Sequence, residues 1–280
     1  MKIALGTAQF GLDYGISNDA GKVDFDTVNR ILKFASENDI DTIDTAAAYG
    51  DAESVLGNAK GGTNNFNIIT KISSGTYSDE IKLNLIGSLK RLKRSTVYGV
   101  LLHDVKDLSK KSIDQLVASR NEGQVKKIGV SIYNHHDVAE VLKYDSIDLV
   151  QLPIHLFDQH FFRKGILDRL KEKNIEIHAR SVFCQGLYFL DEDKLPDYFL
   201  PVKKSLKLLK SECKNVHYSL LDVLLGYVNS LPQIDKIVIG VTSDLELSDI
   251  CRAIRKTINF DYTNYDQNLS DLMNPRNWPA

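Results

Sequence analysis

Cysteine is scarce in this sequence, long apolar runs are missing, and neither sign of charge is in excess. The three cysteines, Cys184, Cys213 and Cys251, are odd in number, far apart and without a C-x-x-C pair. That argues against a disulfide framework or a cysteine-held metal and fits neutral thiols in a reducing cytoplasm. No stretch approaches the roughly 20 consecutive apolar residues of a membrane span. The opening run "MKIALGTAQFG" is too short for a signal peptide and lacks its cleavage site, so a cytoplasmic location is expected. Lysine and arginine number 35 against 37 acids, a net charge of −2. Nothing there attracts nucleic acid or an anionic membrane. His135-His136 and the other histidines lack metal-ligand spacing, so no metal site is expected.

What the 280 residues do contain is an alternation. Short β-branched runs at 2–6, 41–44, 67–71, 99–103, 127–131, 147–153, 175–180 and 236–240 are separated by amphipathic stretches. Several runs are continuously apolar, the pattern of strands buried on both faces of a parallel sheet. In "DFDTVNRILKFASEND", Val28, Ile31, Leu32 and Ala35 fall on one helical face behind Asp24 or Asp26 as N-cap. Ile81, Leu85, Leu89 and Leu92 repeat the pattern behind Ser78, and similar segments are expected near 109–122, 135–143, 159–173, 201–214, 217–230 and 244–257. Eight strands each followed by a helix describe a (β/α)₈ TIM barrel, here a single domain over 1–280. A doubly wound sheet would call for G-x-G-x-x-G in the first turn, and "GTAQFG" does not supply it.

In such a barrel the chemistry lies at the C-terminal ends of the strands. Asp44 ends strand 2 with Tyr49 just beyond, Lys71 ends strand 3, His103 ends strand 4, strand 6 carries Gln151, and strand 7 runs into Arg180. Singly, each has a bland explanation as a cap or a rim residue. Several ionisable groups converging on one face do not. A phenol titrates near 10, and a nearby ammonium favours its anion. A buried ammonium in turn needs a carboxylate. Asp44, Lys71, Tyr49 and His103 therefore read as a site that protonates an oxygen gaining negative charge.

"GTAQFG", "DTAAAYGDAE", "ITK" and "LLHD", in this order, resemble the aldo-keto reductase superfamily, in a bacterial subgroup that also has "GVSxY" and "RSVFxQGL". The resemblance implies a catalytic tetrad of Asp44, Tyr49, Lys71 and His103, with Tyr49 donating its proton to a carbonyl. It implies a nicotinamide cofactor, NADP(H) foremost and NAD(H) as the alternative, held by Gly6, Thr7, Ser131, Gln151, Arg180, Gly240, Thr242, Ser243 and Glu246. Ile132 stands where the family commonly has Asn, and Arg180 where many members stack a tyrosine. Thr242 and Ser243 stand where the family usually has an arginine or lysine for the 2′-phosphate.

Phe10, Tyr14, His155 and Phe157 are candidate substrate contacts near strand ends, with Tyr133, Phe183 and Tyr188 as further aromatics there. The subgroup points towards a keto-sugar or sugar-nucleotide carbonyl substrate. A cofactor-binding regulatory barrel and a Schiff-base aldolase using Lys71 are the alternatives. The aldolase leaves Asp44 and Tyr49 without a role.

Overall fold

The computed structural model describes residues 1–267 together with 272, 274, 277 and 278. The last positions of the expected 1–280 domain thus lie partly outside the described residues. Eight parallel strands close into a barrel in sequence order: β1 (Ile3–Gly6), β2 (Thr42–Asp44), β3 (Asn67–Ile72), β4 (Val97–Leu102), β5 (Val125–Ser131), β6 (Leu149–Pro153), β7 (Glu176–Arg180) and β8 (Lys236–Gly240). β8 pairs with both β7 and β1, which completes the ring.

The connecting helices are α1 (Phe25–Glu37), α2 (Ala52–Gly57), α3 (Ile81–Leu92), α4 (Lys110–Asn121), α5 (Asp137–Val141), α6 (His160–Arg163), α7 (Ile166–Glu172), α8 (Leu200–Asn215), α9 (Leu220–Asn229) and α10 (Asp244–Ala253). Asp24 caps α1, accepting from the Asp26 and Thr27 amides at 3.0 Å each. The expected Ser78 cap does not form: α3 starts at Ile81 behind Glu80, without a side-chain cap. The single helix expected over 159–173 is two, because Gly165 adopts φ +64 between α6 and α7. That left-handed conformation interrupts the helix and suits glycine.

Alternation along the strands sorts their side chains into two layers. Ile68, Val100, Val130, Val150 and Ile177 belong to the large core shared with the helices. Ile69, Leu101 and Leu149, of opposite parity, form a separate small cluster. Two residues further along β3 and β6, on that same face, come Lys71 and Gln151. On β3 and β6 that face is thus apolar one step below the polar residues at the C-terminal ends. His103 lies one residue beyond β4, its amide still bonded to the Ile72 carbonyl at 3.2 Å.

Candidate active site

Asp44 and Lys71 have side-chain exposures of 2% and 0%, so neither charge is solvated. Their pairing replaces the water: Lys71 Nζ lies 2.5 Å from Asp44 Oδ1 and also donates to the Thr45 carbonyl at 3.1 Å. Gln151 Nε2 donates to Asp44 Oδ2 at 2.7 Å, so both carboxylate oxygens are engaged. The third Lys71 contact is the Tyr49 hydroxyl at 3.5 Å, with the ammonium 5.1 Å from the Tyr49 ring centre. The His103 ring stands edge-on to Tyr49, centroids 5.9 Å apart. The four residues of the expected tetrad are therefore brought together.

Local packing holds the phenol in place. Beyond β2 the chain stays bonded to β3 through Thr45 N to Ile69 O (2.8 Å) and Ala47 N to Lys71 O (3.1 Å), then turns with Tyr49 N on Ala46 O. Small side chains let this segment lie flat. A Cβ on Gly11 would come 1.8 Å from the Tyr49 carbonyl oxygen, and one on Gly50 would come 2.3 Å from the Gly11 oxygen. Glu53, the last residue of the D-T-A-x-x-Y-G-x-x-E pattern, is buried away from the cleft. It accepts from Thr70 Oγ1 at 2.5 Å and Arg91 Nε at 2.7 Å, tying α2 to β3 and α3.

Burial raises the pKa of Tyr49 above the usual 10; Lys71 and Arg180 oppose the rise and Asp44 adds to it. The expectation that Lys71 would bring the phenol down is thus reversed in net direction, because loss of solvent outweighs the ammonium. Lys71 itself is raised: burial opposes its charge, but Asp44 and Tyr49 more than offset it.

The site opens into a cleft of ≈ 840 Å³ whose lining includes Gly6, Thr7, Tyr49, His103, Gln151 and Arg180. Gly240, Thr242 and Glu246 also line it. Its size and polar atoms suit a dinucleotide. The Ser131 hydroxyl and Gln9 Oε1 are both buried without a protein partner; Gln9 lines the cleft, whereas Ser131 does not. A Cβ on Gly240 would come 2.3 Å from Gln9 Oε1, so a side chain there would fill the floor. Ser243 is withdrawn from the lining and caps α10 by accepting from the Glu246 amide. Glu246 accepts from Thr242 N at 2.7 Å and Thr242 Oγ1 at 3.0 Å.

Of the candidate substrate contacts, Tyr14 lines the cleft, as do Tyr133 and Phe183. Phe10, His155, Phe157 and Tyr188 do not. Phe10 is 0% exposed in the core. Phe157 packs against Tyr188 and Tyr265, and His155 bonds the Tyr188 hydroxyl. These side chains serve the packing behind β6 and β7. Arg180 Cζ lies over the Tyr133 ring, 4.1 Å from its centre.

Sequence reasoning missed Gln9, although it sits inside the "GTAQFG" that drew attention. It also missed a bridge across the mouth. Ile16 N donates to Gln185 O at 3.0 Å, joining the loop after β1 to the loop after β7. Beside it, a Cβ on Gly186 would come 1.7 Å from Ser17 Oγ.

The aldo/keto reductase family model matches residues 2–267. No curated protein matches by sequence. Among solved structures, an aldo-keto reductase from Bacillus halodurans in its holo form is 20% identical, with a TM-score of 0.75 over 97% of this chain and 91% of that one. The glycerol dehydrogenase from Gluconobacter oxydans is also 20% identical, with a TM-score of 0.70 over 100% and 93% of the two chains. These likenesses show the shared barrel. The family match over nearly the whole sequence, on a barrel with this polar mouth, places the chain in the aldo/keto reductase family of NAD(P)H-dependent oxidoreductases.

Proposed function

We propose that the chain acts as one barrel over 1–280 that reduces a small-molecule carbonyl to an alcohol, with Tyr49 as the proton donor. The observation that carries this reading is the position of Lys71 Nζ, buried between Asp44 Oδ1 at 2.5 Å and the Tyr49 hydroxyl at 3.5 Å. A structural ion pair alone has no use for a phenol opening onto a cleft.

When bound, a reduced nicotinamide supplies the hydride to the carbonyl carbon. Tyr49 keeps its proton in the resting state, because burial disfavours the phenolate. As negative charge builds on the substrate oxygen, that oxygen becomes the stronger base and takes the phenolic proton. The phenolate left behind faces the Lys71 ammonium, whose charge is balanced by Asp44. His103, on the cleft beside Tyr49, orients the carbonyl oxygen by hydrogen bonding. Ser131 and Gln151 would hold the carboxamide of the cofactor, and Gly6, Thr7, Gly240 and Thr242, which line the cleft, would hold the rest of it. NADP(H) is the family expectation. A keto-sugar or sugar-nucleotide is the substrate class to which the sequence motifs point.

Replacing Tyr49 with phenylalanine tests the reading. General acid catalysis contributes roughly 10²–10⁴-fold, so kcat should fall by at least that lower figure while cofactor Kd changes less than about twofold. Retention of more than about a tenth of kcat, with chemistry rate-limiting, would remove Tyr49 from the role.

A further inference from the structure

We infer that Arg180 recognises an anionic group on the substrate, so that the site takes a carbonyl compound bearing a carboxylate or a phosphate. The inference rests on the carbonyl-reductase reading above and names the substrate class of that site.

Among the described residues lining the cleft, Arg180 is the only lysine or arginine. Its guanidinium is held rather than free: it stacks on Tyr133 at 4.1 Å, donates through Nη1 to Ser181 Oγ at 3.1 Å and through Nη2 to the Ile132 carbonyl at 3.2 Å. Those two bonds use two of the five N–H donors of an arginine. Neither acceptor carries a charge, and no described carboxylate lies within ion-pair distance. Arg91, Arg120 and Arg163 behave differently, each meeting an acid: Glu53 at 2.7 Å, Asp148 at 2.9 Å and Asp266 at 3.1 Å. A half-buried guanidinium held by two hydrogen bonds and a ring, with donors to spare and no counter-charge, is arranged to take a planar or tetrahedral oxyanion in bidentate fashion.

The other charges of the cleft leave that place to a ligand. Asp44 is already satisfied by Lys71 and Gln151. Asp19, from the loop after β1, and Glu246 and Asp249, from α10, are the other acids of the lining, and none is within ion-pair distance of Arg180. Arg180, at the end of β7, shares the lining with Tyr49 and His103. Its charge opposes the burial-driven rise of both the Tyr14 and Tyr49 hydroxyls, so its field reaches the reacting oxygen. An anionic group seated on Arg180 would leave the carbonyl of the same small molecule near Tyr49.

The test uses aldehyde pairs that differ in one charged group: D-glucuronate against D-glucose, and glyceraldehyde 3-phosphate against glyceraldehyde. In the wild type, kcat/KM for the charged member should exceed that for the neutral one by at least about tenfold in one pair or both. Which pair responds tells carboxylate from phosphate. Arg180→Gln should remove most of that ratio, chiefly through KM, and Arg180→Lys should retain part of it. A wild-type ratio near one, or a ratio unchanged in Arg180→Gln, overturns the proposal. So does a tenfold loss of NADPH and NADH affinity in Arg180→Gln with the ratio intact, which would assign the guanidinium to the cofactor phosphates.

Calorimetric titration of the same four compounds into cofactor-loaded Tyr49→Phe protein reads the anion site without turnover. Tighter binding of a charged member, lost in Tyr49→Phe/Arg180→Gln, supports Arg180 even if the wild type reduces none of them. In that case the carbonyl-reductase reading fails and the anion site stands. No charge-dependent binding sinks the inference.

Discussion

The backbone of Gly11 is pressed against the carbonyl of Tyr49, so that a methyl group on Gly11 would come 1.8 Å from that oxygen and 2.6 Å from the Ala52 nitrogen. Both neighbours are backbone and neither can rotate aside. Gly11→Ala must therefore displace the turn that carries the phenol. We expect a loss of about 1–3 kcal/mol in stability, typical of overpacking, and at least a tenfold fall in kcat/KM. Gly61→Ala is the control: nothing lies within 4 Å of its Cβ, and both properties should stay near wild type. Urea unfolding and steady-state kinetics on the two variants check this, and a fully active Gly11→Ala would show that the turn is not rigid.

Lys71→Met leaves Asp44 buried with one partner, Gln151, in place of two. Breaking a buried pair from one side typically costs about 3–5 kcal/mol. We expect a loss of that order together with near-complete inactivity. Adding Asp44→Asn removes the stranded charge and should recover part of the stability but no turnover. If the double variant regained activity, the lysine would have a purely structural role.

Acid should weaken the fold through His155. His155 is buried, with Nδ1 3.3 Å from the Tyr188 hydroxyl, which accepts from the Phe157 amide at 3.0 Å. Burial first, with help from the His160 and Arg180 charges and against Asp158 and Asp266, brings the His155 pKa from 6.5 down to about 4. The unfolded chain binds this proton from about pH 6.5 and the folded chain only near 4. This contribution to stability is therefore complete above pH 6.5 and lost progressively as pH falls to 4, by about 3 kcal/mol in all. His155→Gln should flatten that slope. Urea midpoints at pH 7 and pH 4.5 measure it, and an unchanged difference between the two would mean that other groups carry the acid sensitivity.

Cofactor choice should be weak. The start of α10 presents Glu246, whose carboxylate already accepts from the Thr242 amide and hydroxyl, and Asp249 lines the cleft one turn on. A 2′-phosphate would meet acids where strict NADPH enzymes offer arginine. Losing one charge-assisted contact removes one to two decades of discrimination. NADPH should exceed NADH in kcat/KM by less than about 100-fold, and Glu246→Arg should raise that ratio. A wild-type ratio above 100 would reveal a basic group acting from elsewhere.

Much of the site was legible in the sequence because its chemistry is confined to strand ends. Apolar runs located all eight strands to within about two residues, and Asp44, His103, Gln151 and Arg180, read at or near the ends of their runs, line the cleft. The same logic misled at Phe10, His155 and Phe157. Nearness to a strand end does not determine whether a ring turns into the cleft or back against the helices, and that choice is made by partners distant in sequence, such as Tyr265 for Phe157. The direction of the Tyr49 shift was hidden for a similar reason. Residue types named the ammonium beside the phenol, but the depth of burial that outweighs it belongs to the assembled barrel.

The hydrogen bond from Ile16 to Gln185 joins loops that rise from β1 and β7, the two strands flanking β8. Both loops line one cleft together with the end of β8: Gly15 and Ser17 from the first, Gln185 and Gly186 from the second, and Gly240 and Thr242 after β8. The two loops are in that sense a single unit, and a change in the length of one must be matched by the other if the mouth is to keep its shape.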